Sequence, residues 1–254
     1  MSKAAAVFMS DAHLGSESRR LEAEREARLI EFLEGLPDRT RALYIAGDLF
    51  EFWFEYGTVI PKRYVGLLGV LRRLRDQGLE ITCLAGNHDF WLGPFLRDEI
   101  GLTTAEGPFE LELEGHRIWI HHGDGLIGGD LGYKILKRVI RHPVSLALYR
   151  WLHPDLGIPL AHQCSRWSRG SRDQRPLDGE RLFREIAVPR FRDGFDTVMI
   201  GHFHHAYERR DGTHAFFVLG DWMKHFTYVE LREGAFSLNV WPSGAESKAL
   251  RIGP

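Results

Sequence analysis

A chain of 254 residues, 44% hydrophobic and 27% charged, carries enough apolar material to bury a full core. Its formal net charge of -2 excludes a protein that is basic all over, though not one with a local basic patch. Two cysteines, Cys83 and Cys164, exclude a disulfide framework and a cysteine-built zinc site, and no apolar run is long enough for a bilayer-spanning helix.

The first predicted strand, 4–9, runs straight into Ser10-Asp11-Ala12-His13. It therefore reads as a core strand and not as the apolar part of a signal peptide, which places the protein on the cytoplasmic side. A charged helix over about 19–36 follows, with Leu29, Ile30, Leu33 and Leu36 as its inner stripe. The second strand, 42–46, leads into Gly47-Asp48 and an aromatic loop, Phe50-Glu51-Phe52-Trp53-Phe54-Glu55-Tyr56. Pro61 opens a second helix where its missing N–H costs nothing. Tyr64, Leu67, Leu68, Leu71 and Leu74 line the buried face of that helix, and Gly78 stops it. The third strand, 81–85, ends in Gly86-Asn87-His88-Asp89. This alternation of strand and helix is a βαβ pattern.

From Phe109 the period changes to two. A hairpin turning at Gly115 leads through 118–120 into His121-His122-Gly123-Asp124. A helical insertion over about 126–188 comes next, within a single domain spanning 1–254. Tyr133, Leu136, Val139 and Ile140 fit one helical stripe in it. Leu146, Leu148, Tyr149, Trp151 and Leu152 suggest a second helix, more apolar than a surface helix needs. Between 126 and 176 the charge is biased: Lys134, Lys137, Arg138, Arg141, Arg150, Arg166, Arg169, Arg172 and Arg175 stand against Asp130, Asp155 and Asp173. The last candidate strand, 198–200, delivers Gly201-His202-Phe203-His204. Turns at Asp211-Gly212 and Glu233-Gly234 mark two further hairpins. A βαβαβ half followed by antiparallel hairpins is satisfied by two stacked sheets with helices outside.

Each of the five polar stretches follows an apolar run, and ligands of α/β sheets bind beyond the carboxyl ends of strands. Asp11, His13, Asp48, Asn87, His88, His122, His202 and His204 are thus expected in one small space. The donor set is oxygen and nitrogen without sulfur, which suits Mn, Fe(II) or Zn. Asp48 is the natural bridge between two cations, since one carboxylate has two oxygens. Asp11, His13 and His204 complete the first site, and Asn87, His122 and His202 the second. Two cations roughly 3.5–4 Å apart lower the pKa of a shared water and clamp a phosphoryl group in line. His88 is a candidate donor to a phosphoryl or leaving-group oxygen. Asp89 and Asp124 are expected to orient histidines or, equally, to stabilise turns. Adjacent residues of a strand point to opposite faces, so only one of His121 and His122 can reach the metals; His122 is chosen because it immediately precedes Gly123 at the strand end, and His121 is set aside. His205 is set aside because His202 and His204 already supply one side.

These five blocks, Asp-Xxx-His, Gly-Asp, Gly-Asn-His-Asp, His-Gly-Asp and Gly-His-Xxx-His, resemble those of the calcineurin-like metallophosphoesterases from Asp11 to His204. The resemblance implies an α/β fold, a four-layer αββα sandwich of two mixed sheets, carrying a two-metal phosphoesterase site with Asp48 and His88 in catalytic roles. Gly47-Asp48-Leu49-Phe50-Glu51-Phe52-Trp53, His122-Gly123-Asp124-Gly125-Leu126, Gly129-Asp130-Leu131-Gly132-Tyr133-Lys134 and the helical insertion are more narrowly similar to the UDP-2,3-diacylglucosamine hydrolases of lipid A biosynthesis. The best-known members carry Arg where His88 stands; the wider superfamily has His.

That resemblance implies a pyrophosphatase that cleaves its UDP-linked diacylglucosamine lipid at the α-phosphorus. UMP and 2,3-diacylglucosamine 1-phosphate are the implied products. Two divalent cations are implied, Mn2+ as the usual metal with Fe2+ and Zn2+ as alternatives, together with peripheral attachment to the inner face of the inner membrane. Carried onto this chain, Asn87 and His88 touch the substrate. Asp130, Tyr133, Lys134 and Lys137 lie near the glucosamine phosphate, and Arg166 or Arg169 contacts substrate. The insertion then reads as a lid with an apolar side and a cationic side, or, equally, as a helical cap that packs only its own core. Phe52, Trp53 and Phe54 line an acyl slot or pack in the core, and core packing is the expectation for two of the three. Nucleic acid is not expected as a partner. Two other readings remain: another phosphodiesterase of the superfamily, such as a nuclease, and a non-catalytic scaffold with this fold.

Overall fold

The computed structural model describes residues 4–127, 137–169 and 177–242, without the side chains of residues 19 and 166–169. The core is layered. Strand β1 (Ala4–Met9) is buried along its whole length, as its unbroken apolar run requires of a strand covered on both faces. Helix α1 (Arg19–Glu34) leads to β2 (Thr40–Ile45), and a short 3-10 turn after Pro61 leads into α2 (Val65–Asp76) and β3 (Glu80–Leu84). The three strands run parallel, with β4 (Thr103–Ala105) parallel at the edge. Leu29, Leu33 and Leu36 from α1 and its exit, Tyr64 from the 3-10 turn, and Leu67, Leu68, Leu71 and Leu74 from α2 are all buried against this sheet's outer face, as their helical spacing predicts.

The second sheet begins with the expected hairpin, β5 (Phe109–Leu113) and β6 (His116–His121), in which Leu113 faces His116. It continues through β7 (Thr197–Ile200), β8 (Ala206–Asp211) and β9 (His214–Leu219), in the order β5-β6-β7-β9-β8. The final hairpin, β10 (Thr227–Arg232) and β11 (Ala235–Val240), does not extend this sheet. It returns to the first one, and β10 pairs antiparallel with β1, giving β11-β10-β1-β2-β3-β4. Both sheets are mixed. Phe8, Ile118, Ile120, Met199, Phe217 and Val229 fill the space between them.

The outer layer of the second sheet is a continuous helical run, Gly179–Leu182, Phe183–Ala187 and Val188–Arg192. Leu182, Phe183 and Ile186 pack there against Trp119, Val198 and Phe216. Helices, sheet, sheet and helices make the αββα sandwich. The expected insertion, 126–188, therefore overlaps this outer layer: residues from Gly179 onward belong to the sandwich because they bury apolar side chains on β6 and β7. The insertion proper contains the helices Pro143–Trp151 and Pro154–Arg169. Among the described residues no helix is long and apolar enough to cross a membrane.

Candidate metal centre

Strands β1, β2 and β3 of one sheet and β6 and β7 of the other all point their carboxyl ends to the same edge of the sandwich. The chain turns sharply as it leaves them. Asp11 (φ 56°), His13 (φ 43°), Asp48 (φ 52°), His202 (φ 73°) and His204 (φ 56°) all lie in the left-handed region. Asp and His tolerate that region better than most residues, and clustering of such strain is typical of functional sites.

Each aspartate uses one oxygen to hold the next motif and aims the other inward. Asp11 Oδ2 accepts the His202 N–H at 2.8 Å, and Asp48 Oδ1 accepts the His88 N–H at 2.8 Å. Asp11 Oδ1 is buried with no hydrogen bond, facing His13 Nε2 at 3.6 Å and His204 Nε2 at 3.4 Å. Asp48 Oδ2 lies 3.4 Å from His13 Nε2 and 3.1 Å from His122 Nε2. Asn87 Oδ1 is 3.0 Å from the same His122 nitrogen. Asp11, His13 and His204 form one group of converging ligand atoms, and Asp48, His122 and His202 another.

The glycines of the motifs are packing requirements. A Cβ on Gly86 would fall 2.0 Å from Asp48 Oδ1, and one on Gly201 2.0 Å from Ser10 Oγ and 2.6 Å from Asp11 Oδ2.

Histidine tautomers follow from the other ring nitrogens. His122 Nδ1–H donates to the Ala46 carbonyl at 3.0 Å, and His13 Nδ1–H to Glu51 Oε2 at 3.1 Å. Both leave Nε2 as the inward lone pair, the usual device for orienting a metal-binding histidine. His13 Nε2 and His204 Nε2 face each other at 3.1 Å, an arrangement that a shared cation makes favourable. An orphaned carboxylate oxygen, inward lone pairs and a hard-to-borderline donor set fit divalent cations.

The electrostatics agree. Burial alone would push His13 and His122 down, but Asp48 outweighs it and raises them to about 9 and about 10. Burial would raise Asp48, but the charges of His122, His88 and His13 hold it well below the usual carboxylate range. His202, half-buried beside His122, is lowered by desolvation and by the His122 charge to about 3.

In the metal-free protein His13 and His122 therefore keep their protons at neutral pH, and a cation must displace one proton in each group. Metal affinity is expected to rise with pH up to about 9, by about tenfold per unit for each group. Chelator-competition titrations between pH 6 and 8 check this, and an affinity that does not change with pH contradicts it.

All the expected ligands among the described residues meet at this edge. His121 and His205 lie apart from it: His121 Nδ1 accepts the Gly123 N–H, and His205 Nδ1 donates to the Phe203 carbonyl. Asp89 takes the second of its two expected roles. It orients backbone and not a histidine, accepting N–H groups of Asp48, Phe50 and Gly86 at 3.1, 3.2 and 2.9 Å. Burial and the Asp48 charge raise it to about 6. Asp124 pairs with Lys137 at 2.5 Å. Asp130, Tyr133 and Lys134 lie outside the described residues, as do the side chains of Arg166 and Arg169.

Three participants were not expected. Glu51, fully buried, lies between Nδ1 of His13 and Nδ1 of His88, the latter 3.7 Å away. Its signal was a carboxylate inside an aromatic run directly after Gly-Asp. Ser165 reaches in from the insertion, its Oγ 2.6 Å from His88 Nδ1. Arg141, also from the insertion, donates to the Gly86 carbonyl at 2.8 Å. Of the aromatic trio, Trp53 belongs to the core, and buried Phe54 packs on Tyr149 of the insertion with centroids 4.7 Å apart.

A mixed αββα sandwich with Asp and His clusters at its strand ends is the framework of a metal-dependent phosphoesterase. Residues 6–206 match the calcineurin-like phosphoesterase family. The UDP-2,3-diacylglucosamine hydrolase of Porphyromonas gingivalis is 32% identical over 241 residues, 87% of this chain and 92% of that one. The enzyme of that name from Pseudomonas savastanoi pv. phaseolicola is 31% identical over 250 residues, 96% and 98% of the two chains. The one from Pseudomonas putida is 31% identical over 241 residues, 91% and 97%. The chain belongs to the calcineurin-like phosphoesterases and, within them, to the family of the UDP-2,3-diacylglucosamine hydrolases. It is a hydrolase.

Proposed function

We propose that this hydrolase cleaves UDP-2,3-diacylglucosamine at the α-phosphorus with two divalent cations, Mn2+ in the first place. The carrying observation is that Asp48 Oδ2 faces both His13 and His122, so that one carboxylate serves both groups of ligands. Asp11, His13 and His204 would hold one cation, Asn87, His122 and His202 the other, and Asp48 both. Bound there, the cations would acidify a water and offset charge on the phosphoryl group. Water adds to the α-phosphorus, the bond to the bridging oxygen breaks, and UMP and 2,3-diacylglucosamine 1-phosphate leave. The names of the relatives support this substrate.

His88 has its backbone tied to Asp48 and its ring perpendicular to His13 at 4.6 Å. That position suits a donor to a phosphoryl or leaving oxygen. His88→Ala is expected to cut turnover by about a hundredfold or more, within the range of general acid–base catalysis, while both metals stay bound. Loss of metal would make it a ligand instead.

The insertion supplies the lipid side. Val144, Leu148, Trp151, Leu156 and Leu160 are exposed, Trp151 to 90%. Lys137 stands at the rim beside Asp124. We assign the glucosamine phosphate to Lys137 with Asp130, Tyr133 and Lys134 in the segment before it, and further substrate contacts to Arg166 and Arg169. The exposed apolar residues with neighbouring cations support peripheral binding to the inner face of the inner membrane, from the cytoplasmic side.

The experiment presents UDP-2,3-diacylglucosamine in anionic vesicles with added Mn2+ and follows UMP. Release of neither UMP nor UDP overturns the substrate. UDP without UMP overturns cleavage within the diphosphate, oxygen-18 from labelled water in the lipid phosphate and not in UMP overturns attack at the α-phosphorus, and protein that stays in the supernatant when the vesicles are pelleted overturns the membrane assignment.

A further inference from the structure

Two cations of the insertion flank one edge of the centre. Arg141 N–H donates to the Lys137 carbonyl at 3.1 Å, a helical i to i-4 bond, so the two side chains stand one turn apart on the same face. They are tethered to opposite strand-end loops. Lys137 reaches Asp124, two residues beyond His122. Arg141 reaches the carbonyl of Gly86, the residue before Asn87, whose α-carbon lies against the Asp48 carboxylate. His122 and Asn87 themselves meet at 3.0 Å. The pair of cations therefore brackets the edge of the centre built from these two side chains.

The two are not equivalent. The charge of Lys137 is met by a carboxylate at 2.5 Å. Arg141 has the neutral Gly86 carbonyl and the ring of Phe90, 5.2 Å from its guanidinium carbon. Among the described residues no carboxylate pairs with it. A half-buried guanidinium at the rim of the centre, with N–H groups that meet no carboxylate among the described residues, suits an anion. A diphosphate substrate supplies one: when the first phosphate occupies the centre, the second lies beside it, joined through a single oxygen. The planar fork of arginine matches phosphate oxygens.

We propose that Arg141 joins the residues assigned above around the glucosamine phosphate, binds this second, non-reacting phosphate of the diphosphate, and so selects diphosphates over simple phosphate esters. This rests on the pyrophosphatase reading above. Arg141 then acts on binding and specificity, while the Gly86 carbonyl fixes its approach.

The test uses the purified full-length protein at constant free Mn2+ and compares methylenediphosphonate with methylphosphonate as ligands. Arg141→Gln, which keeps an N–H donor and loses the charge, is expected to weaken methylenediphosphonate by about tenfold or more, the scale of a lost charge-assisted hydrogen bond. Methylphosphonate affinity and metal content should stay within twofold of wild type. Arg141→Lys should recover part of the loss. Equal weakening of both ligands, loss of metal, or unchanged methylenediphosphonate binding each overturns the proposal. The probes contain no uridine or lipid. A protein that releases no UMP yet shows this discrimination would overturn the substrate and leave the role of Arg141 standing.

Discussion

Asp48→Ala is expected to lower turnover by at least about a thousandfold, the several kcal/mol that metal-ion stabilisation supplies. The reason is local. Asp48 Oδ2 faces His13 and His122 at once, and Asp48 Oδ1 anchors the His88 N–H. Removing the carboxylate takes a ligand from both groups and frees the loop that carries Asn87 and His88. It also removes the charge that holds His13 and His122 protonated, so two buried imidazoles lose their partner. Elemental analysis of purified protein should find at least one metal lost per chain, with the fold retained by circular dichroism. Full activity in a folded variant contradicts the assignment of Asp48.

Gly86→Ala is expected to be nearly as damaging, although it adds one methyl group and removes no ligand. Its Cβ would sit 2.0 Å from Asp48 Oδ1 and 2.5 Å from the Asp48 nitrogen. The Gly86 backbone does not have a positive φ, so the effect comes from contact and not from backbone strain. Overpacking of this kind costs roughly 1–3 kcal/mol of stability, which a well-packed sandwich withstands. The carboxylate must move, however, and with it the atom common to the two groups. Turnover should fall by about a hundredfold or more, since ångström-scale misplacement at a reacting centre has effects of that size, and metal content should fall with it. Thermal unfolding separates this outcome from misfolding. Wild-type turnover with full metal would show that the loop yields without disturbing Asp48.

Much of this was legible before any coordinates. Side chains that bind a divalent cation come from a short list, Asp, Asn and His among them, and a strand buried on both faces is apolar. Asp11, Asp48, Asn87, His122 and His202 therefore announce themselves at the ends of apolar runs. Alternation along a strand allowed only one of His121 and His122, the place of His122 directly before Gly123 chose it, and His121 does turn away to stack on Trp119. The hairpins at Gly115, Gly212 and Gly234 were equally plain, because turn chemistry is local.

Other features had no local signature. Glu51 sits in an aromatic run where nothing local gives it a role, and only the fold buries it between two histidines. Asp89 follows a histidine, which left a histidine-orienting and a turn-stabilising role equally open, and only the fold adds the N–H groups of Asp48 and Phe50 to that of Gly86 in its own loop. Ser165 and Arg141 lie far along the chain from the loops they touch, and only the docking of the insertion brings them there.

The sequence by itself determined the inventory: which side chains bear the chemistry, which strand each follows, and the kind of cation they suit. Residue type and short-range periodicity are written in neighbouring positions. The tertiary structure decided the assembly. It took the last hairpin back to β1, set β6 and β7 against β1, β2 and β3 so that their ends share one edge, and folded Arg141 and Ser165 over that edge. Pairing between distant strands depends on many weak apolar contacts summed over the whole core, and no short stretch of the chain records that sum.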